Sequence, residues 1–525
     1  MTTDFDVAIV GYGPTGQVLA SMLGRAGVRV AVFERWPSLY GLPRLTHIDG
    51  ETARIIQAAG DVGFALRDAA PAANYEWRNG AGDLLVSIDW SGESCGFAAH
   101  YTMYQPDIEL AVDTRARGYD GVEIHQGAEV TEIRQLADHV CLTVRTHTAE
   151  AARSDAQSVL RTVTATYVVG CDGANSQVRE AAGIDRDDLG VDDRWLNIDT
   201  ECLHPLGPEF AVSRQFCDPE QPNMFMPIGV KRQRFEVAVR PGDDAAEMST
   251  EEFAWSWLRD KHGLGPNDVR ILRHVIYTFS ARTADTWRSG RLLLAGDAAH
   301  TMPPYMGQGA CSGMRDGITL AWKLVQVLRG NARPDYLDTY ETERRPHVEV
   351  IQRCAVELGR VANLKDPVKA AERDAAFARG EVPPLPPFPT ITSGVAMAGD
   401  GPASLAGTLA PQFRVRMDSR VALLDDLVDW GFTLVADADP GTLLSADQLA
   451  FLDRIGTTVL TTAPGTDYSV GDVDGRYGQY LSAHGVNAFL SRPDFHLFGA
   501  ATADALPSLV DELRASLASI TAVPA

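Results

Sequence analysis

Positive charge is in short supply in this chain. It carries 47 Lys and Arg against 70 Asp and Glu, a net charge of −23. A nucleic acid or an anionic membrane needs a basic face, so neither is an expected partner. Cysteine is scarce as well, with seven residues that are scattered, odd in number and without a C-x-x-C pair. That excludes a disulfide framework and points to free thiols in a reducing, cytoplasmic setting. No stretch approaches the roughly 18 uninterrupted apolar residues of a membrane span. The acidic start, Met1-Thr-Thr-Asp-Phe-Asp6, does not read as a secretory leader. Internal repeats, low-complexity segments and metal-ligand spacings are absent too. What is present is a globular composition, 45% hydrophobic and 22% charged over 525 residues. Two or three domains with real cores are expected from that length.

The N-terminus carries the first organised signal. Phe5-Asp-Val-Ala-Ile-Val10 is strand-like and runs into Gly11-Tyr-Gly-Pro-Thr-Gly16. Helical character from Gln17 to Gly24, a second strand from Val28 to Phe33 and a closing Glu34 complete a βαβ unit. Each glycine has a physical reason. Gly11 makes the tight turn, Gly13 lets the backbone approach a pyrophosphate, and Gly16 lets the helix pack on the strand. Glu34 is placed to take ribose hydroxyls, which argues against a 2′-phosphate at this site. An adenine dinucleotide is the expected ligand.

A second stretch, Arg291-Leu-Leu-Leu-Ala-Gly296, reads as a buried strand with Asp297 where it stops. Prolines and the glycines of Gly307-Gln-Gly309 follow, and then a helical pattern from Ser312 to Leu328. A strand-end carboxylate suits the hydroxyls of a ribityl chain. Free N–H groups at a helix start suit the partial negative charge of a reduced flavin ring. This pairing favours FAD over NAD. Thr164–Gly170 is another buried strand, with Cys171-Asp-Gly173 at its end.

The three segments Gly11-x-Gly13-x-x-Gly16, Asp172-Gly173 and Gly296-Asp297 resemble, in order and separation, the single-component FAD-dependent aromatic hydroxylases whose prototype acts on p-hydroxybenzoate. Further segments are similar to the branch that contains 3-(3-hydroxyphenyl)propionate 2-hydroxylase and related phenol and polyketide hydroxylases. They are Tyr40-Gly-Leu-Pro-Arg44, Ser312-Gly-Met-Arg-Asp316, Leu320-Ala-Trp-Lys-Leu324, Leu337-Asp-Thr-Tyr-Glu341 and Glu343-Arg-Arg345. The likeness covers residues 4–360 well and the rest loosely. It implies an α/β architecture. A Rossmann-like FAD-binding domain (residues 1–73, 98–182 and 276–360) is interleaved with a β-sheet substrate domain (74–97 and 183–275). A linker at 361–395, containing Pro383-Pro-Leu-Pro-Pro-Phe-Pro389, leads to a thioredoxin-like α/β domain at 396–525. That last domain has no cysteine, so packing or homodimer contact is its expected role rather than dithiol chemistry. The insert Ala149–Ser158 is polar and expected to be exposed.

The resemblance also implies roles. Pro14, Thr15 and Arg35 join the glycines and Glu34 around the dinucleotide, while Arg44 is expected near the pyrophosphate and the active-site mouth. Gln105 reads either as a helix cap or as an FAD contact, and Asp172 with Gly173 either as an Asp-Gly turn or as an FAD and NAD(P)H contact. Gly296, Asp297, Pro304, Gly307, Gly309, Ala310 and Cys311 are expected against the flavin, although relatives usually carry asparagine where Cys311 and Thr319 stand. His47 is weighed as a phenol-deprotonating base against a structural histidine. Arg214, Met226, Pro304 and Tyr305 are the expected substrate contacts. The implied reaction uses NADH or NADPH to reduce FAD, then O2 to form a flavin C4a-hydroperoxide that hydroxylates a phenolic ring such as a 3-hydroxyphenylpropionate-like acid. The alternatives are polyketide or natural-product tailoring (hydroxylation, epoxidation or Baeyer–Villiger insertion) and, more remotely, a non-catalytic flavin-binding protein.

Overall fold

The computed structural model describes residues 3–146, 159–396 and 405–518. The insert at 149–158 lies outside the described residues. Phe5–Val10 is the centre of the first sheet, parallel to Val30–Glu34 on one side and to the C-terminal half of Val159–Gly170 on the other. Val122–Gln126 and Leu292–Leu294 extend it outward, also in parallel. Val7, Ile9, Val30, Val32 and Val168 are fully excluded from solvent, as a parallel sheet covered on both faces requires. The N-terminal half of Val159–Gly170 continues the sheet by pairing antiparallel with Val140–Thr146, which pairs in turn with Ala128–Gln135.

The helix Pro14–Arg25 packs on the sheet, and the helix Gly309–Leu328 packs against that helix. They approach closely because Gly313 and Gly317 face Thr15. A Cβ on Gly317 would stand 3.0 Å from the Thr15 carbonyl oxygen.

The second sheet has eight strands, in the order His300–Thr301, Val269–Ala284, Arg186–Cys202, Arg232–Ala238, Asn223–Ile228, Ser213–Cys217, Asn74–Asn79 and Leu84–Asp89. Its pairings are antiparallel except for Ser213–Cys217 with Asn74–Asn79. Alternation gives it two faces. Leu196, Ile198, Phe225, Phe235 and Val237 form an apolar core with Ala254 and Leu258 of the helix Glu251–His262. Trp195, Met226, Arg234 and Glu236 face the first sheet across a cavity.

Two expectations are corrected. Residue 275 is not an edge of the second sheet, because Val269–Ala284 is one strand whose end pairs with His300–Thr301. The 361–395 segment is not linker throughout. It holds the helix Pro367–Ala378, capped by Asp366 and anchored where Arg373 donates to the Cys217 carbonyl at 2.8 Å.

The C-terminal unit has a four-stranded sheet in the order Thr457–Thr461, Phe432–Ala436, Ala488–Ser491, Leu497–Ala501. The first pair is parallel and the other pairs are antiparallel, with the helices Ala446–Arg454 and Leu506–Ala518 packed alongside. This is the βαβ-then-ββα order of a thioredoxin-like unit. Arg54 Nε, 2.6 Å from Asp425, helps to hold it against the first unit. Among the described residues no helix is long and apolar enough to cross a membrane.

Candidate functional site

One cavity of about 610 Å³ joins the C-terminal ends of the first sheet's strands to the polar face of the second sheet. On the dinucleotide side Gly11 has φ +96°, and a Cβ there would collide with the Cys171 carbonyl. Gly13 differs. Its backbone is extended, at φ −76° and ψ −175°, and nothing lies within 4 Å of where its Cβ would stand. The chain leaves open space over the first turn of the helix Pro14–Arg25, where N–H groups point outward. Glu34 faces that space while its two oxygens accept the Tyr12 and Trp36 N–H groups at 2.8 and 2.9 Å. Each oxygen keeps a lone pair for a ribose hydroxyl.

Asp297 is exposed to the cavity, and its carboxylate has no hydrogen-bond partner among the described residues. Desolvation by the surrounding protein pushes its pKa up, against the pull of His300 and Arg44. The turn that carries it is fixed from behind by Asp316. That buried carboxylate accepts His300 Nε2 at 2.6 Å, Arg344 Nε at 2.9 Å and the Gly296 N–H at 3.0 Å. Beyond the turn, the N–H groups of Gly309 and Ala310 open the helix Gly309–Leu328 with no backbone partner among the described residues. Arg315, in the next turn, is clamped by Asp49, Glu51 and Gln308 and holds the helix start in register.

The loop Leu42–Leu45 is tied on both sides. Gln105 Oε1 accepts the Arg44 and Leu45 N–H groups at 2.9 and 2.7 Å, so it braces this loop instead of capping its own helix, whose cap position is Tyr104. From the second sheet, Arg234 donates to the Arg44 carbonyl at 2.8 Å and the Pro43 carbonyl at 3.0 Å, and Arg273 also donates to Pro43. Both arginines are aligned by the fully buried Asp199. The Arg44 guanidinium remains free of these bonds and stacks 4.0 Å over the Tyr40 ring.

Under the second sheet the cavity becomes an aromatic and thioether chamber lined by Tyr75, Trp90, Trp195, Met224, Met226 and Tyr305. The Tyr305 hydroxyl is held by Asp193 and Asn363, so its ring is the part that meets the cavity. His47 packs at a tilt against Trp90 with centroids 4.7 Å apart, and its Nε2 lies 2.9 Å from His100 Nδ1. Burial, and then His100, lower its pKa to about 4. A group with that proton affinity is neutral at physiological pH and a weak base for a phenol, whose own pKa is about 10. Glu236 is a carboxylic side chain on the same cavity. Burial raises its pKa to about 7 against the pull of Arg234.

Most of the residues expected at the site line this cavity, from Gly11 and Gly13 through Arg35, Arg44, Asp172 and Gly173 to Met226, Pro304, Tyr305, Gly307 and Ala310. Four do not. Gly16 packs against the Gly11 carbonyl and Gly296 against Thr15, so both act through close packing. The Cys311 thiol is fully buried and turns toward the His47 and Gly307 carbonyls. Arg214 points to the opposite face of its strand, where Nε donates to Glu76 at 2.8 Å. Its neighbours Ser213 and Gln215 are the ones that face the cavity. Sequence reasoning missed Trp195, Met224 and Glu236. The signal for Glu236 was the alternation in Arg234-Phe-Glu-Val237, which sets two charged residues on the face opposite two apolar ones.

The open space over Gly13, the partnerless Asp297 and the free N–H groups at Gly309 and Ala310 fit the pyrophosphate, the ribityl hydroxyls and the electron-accepting ring of FAD in turn. With an aromatic chamber beside them, they define a flavin-dependent monooxygenase site. Residues 4–355 match the family model described as an FAD binding domain, and residues 407–516 match the HcaD C-terminal domain. The probable NADH-specific resorcinol 4-hydroxylase of Rhodococcus jostii (strain RHA1) is 37% identical over 532 residues, spanning 99% of this chain and 96% of that protein. The 3-(3-hydroxy-phenyl)propionate/3-hydroxycinnamic acid hydroxylase of Comamonas testosteroni is 31% identical over 563 residues, spanning 94% and 93%. A crystal structure of aklavinone-11 hydroxylase with FAD and aklavinone superposes with a TM-score of 0.77 at 25% identity, covering 98% of this chain and 99% of that one. The chain belongs to this FAD-binding family of aromatic hydroxylases.

Proposed function

We propose that the chain takes NADH and O2 as co-substrates and hydroxylates a small phenol held under the second sheet, ortho or para to its hydroxyl. The observation that carries this is the continuity of a single cavity from Gly13 and Asp297 to Trp195, Tyr305 and Glu236. Bound FAD supplies hydride acceptance and oxygen transfer to the ring. The protein's own work is binding, orientation and the exclusion of water. Asp297 and Glu34 receive cofactor hydroxyls, and Arg44 balances diphosphate charge. The N–H groups of Gly309 and Ala310 favour negative charge on the ring above them. Met224, Met226, Pro304 and Tyr305 keep the chamber dry. NADH as the reductant follows the printed name of the Rhodococcus relative. The seven free cysteines support a cytoplasmic setting.

The test is NADH oxidation by the FAD-loaded chain across a panel of phenols, with oxygen uptake followed and products analysed after turnover in labelled O2. Acceleration by a phenol with one labelled oxygen in the product is expected. An oxidation rate that no phenol accelerates, or a product with oxygen inserted into a ring bond, would overturn the reading.

A further inference from the structure

Glu236 is 5% exposed, faces the cavity and has no hydrogen-bond partner among the described residues. Strand register fixes its surroundings in the cross-strand row Asn197, Glu236, Met224, Gln215. Met224 offers no donor, and the Gln215 amide nitrogen is turned to the Asn223 carbonyl at 3.2 Å. The nearest cation, Arg234, stands 3.8 Å away, beyond hydrogen-bond reach. Its three nitrogens already donate to Asp199, Pro43 and Arg44. The carboxylate opens onto the cavity and no protein group among the described residues donates to it, so it takes its donor from whatever fills the cavity.

The cavity's cations fit the same conclusion. Arg35 lies by Trp36 and Arg44 by Tyr40, both toward the dinucleotide side, and Arg234 is engaged as described. A substrate carboxylate under the second sheet would therefore meet Glu236 with Arg234 already engaged and Arg35 and Arg44 on the dinucleotide side.

We propose that Glu236 accepts a hydrogen bond from a substrate hydroxyl and, by its charge, excludes phenols that carry a carboxylate, so that the substrate class is a neutral hydroxybenzene such as resorcinol. This rests on the hydroxylase reading above and narrows it.

The experiment measures Kd from the change in flavin absorbance on ligand binding, using the full FAD-loaded chain. The ligands are resorcinol and 3-(3-hydroxyphenyl)propionate, compared in the unchanged protein and in Glu236→Gln. The exchange removes the charge and keeps the shape. Resorcinol is expected to weaken by roughly 10-fold, the difference between a charged and a neutral acceptor. The propionate is expected to tighten by several-fold. Opposite changes of this kind do not arise from general damage to the fold. Loss for both ligands, gain for both, or a change in only one overturns the proposal. If Glu236→Gln fails to retain flavin, Glu236→Asp serves instead. It draws the charge back by one methylene and is expected to weaken resorcinol while still rejecting the propionate. NADH oxidation by the unchanged protein is read in parallel. Its failure with every phenol overturns the hydroxylase reading, while the Kd values judge Glu236 separately.

Discussion

Arg492, in the C-terminal unit, places Nη2 2.6 Å from the Glu343 carboxylate of the long helix Asp338–Ala362, and neither side chain reaches solvent. Lys323 Nζ shares the same carboxylate at 2.7 Å, and Asp494 accepts Arg492 and the Trp322 indole N–H. The two cations and two anions balance, which is what lets them stay buried between the units. Replacing Arg492 with leucine leaves Asp494 without its cation and Glu343 with Lys323 alone. A loss of about 3–5 kcal/mol is expected, read as a lowered urea midpoint of the full chain. Pairing Arg492→Leu with Glu343→Gln should recover part of it. A single variant as stable as the unchanged protein would mean that the contact does not hold the units together.

Gly13 and Gly16 separate cofactor space from packing. A Cβ at Gly13 meets no protein atom, whereas at Gly16 it would collide with the Gly11 carbonyl. Gly13→Ala should leave the melting temperature of the flavin-free protein unchanged and abolish flavin retention. Gly16→Ala should destabilise even the flavin-free protein, by about 1–3 kcal/mol. If Gly13→Ala purified fully yellow, the space above this turn would not be where the pyrophosphate lies.

Desolvation by the surrounding protein pushes the pKa of Asp297 up, and no protein donor among the described residues offsets it. Asp297→Asn should therefore leave the flavin-free protein as stable as before, or slightly more so. FAD affinity should fall by roughly 10-fold or more, because a charge-assisted bond to a ribityl hydroxyl becomes a neutral one. Fluorescence titration of the flavin-free protein with FAD measures this. Unchanged affinity would remove Asp297 from the cofactor's contacts.

The dinucleotide side was legible in the sequence because its chemistry is local. Gly11, Gly13 and Glu34 sit within one βαβ unit, and Asp297 follows its strand directly. The chamber was less legible because its lining comes from strands far apart in the chain. Trp90, Trp195 and Glu236 meet only through the register of the second sheet, and no short motif records that register. Arg214 shows the limit from the other side, since a one-residue error in strand phase moves a side chain to the opposite face. Cys311 shows it for a helix. Its backbone opens Gly309–Leu328, but its thiol points inward, so the departure from asparagine is absorbed by packing. The motif residues Arg315, Asp316 and Arg344 were legible only as a pattern. Their buried ion pairs required the fold.

The last prediction concerns pH. Glu236 has its pKa raised to about 7 by burial, with Arg234 pulling the other way. The groups facing it are Arg234 on its own strand, Asp199 on the neighbouring strand, Arg273 on the strand beyond that, and the hydroxyls of Tyr75 and Tyr305, both of which titrate far above neutrality. His47, at about 4, is neutral across this range and adds no charge change. Below about pH 7 the Glu236 carboxyl holds its proton and is a poor acceptor. Above that pH it is ionised, and a substrate hydroxyl binds more tightly. A ligand that prefers the ionised form must lower the pKa when it binds, so resorcinol affinity should rise between roughly pH 6 and pH 8 and then level off, by at most about tenfold per pH unit. The carboxylated phenol should show the reverse slope, since ionisation sets two negative charges against each other. Glu236→Gln should flatten both curves. Flavin-absorbance titrations at stepped pH supply the measurement. Sloping curves that persist in Glu236→Gln would assign the titration to another group and remove Glu236 from substrate selection.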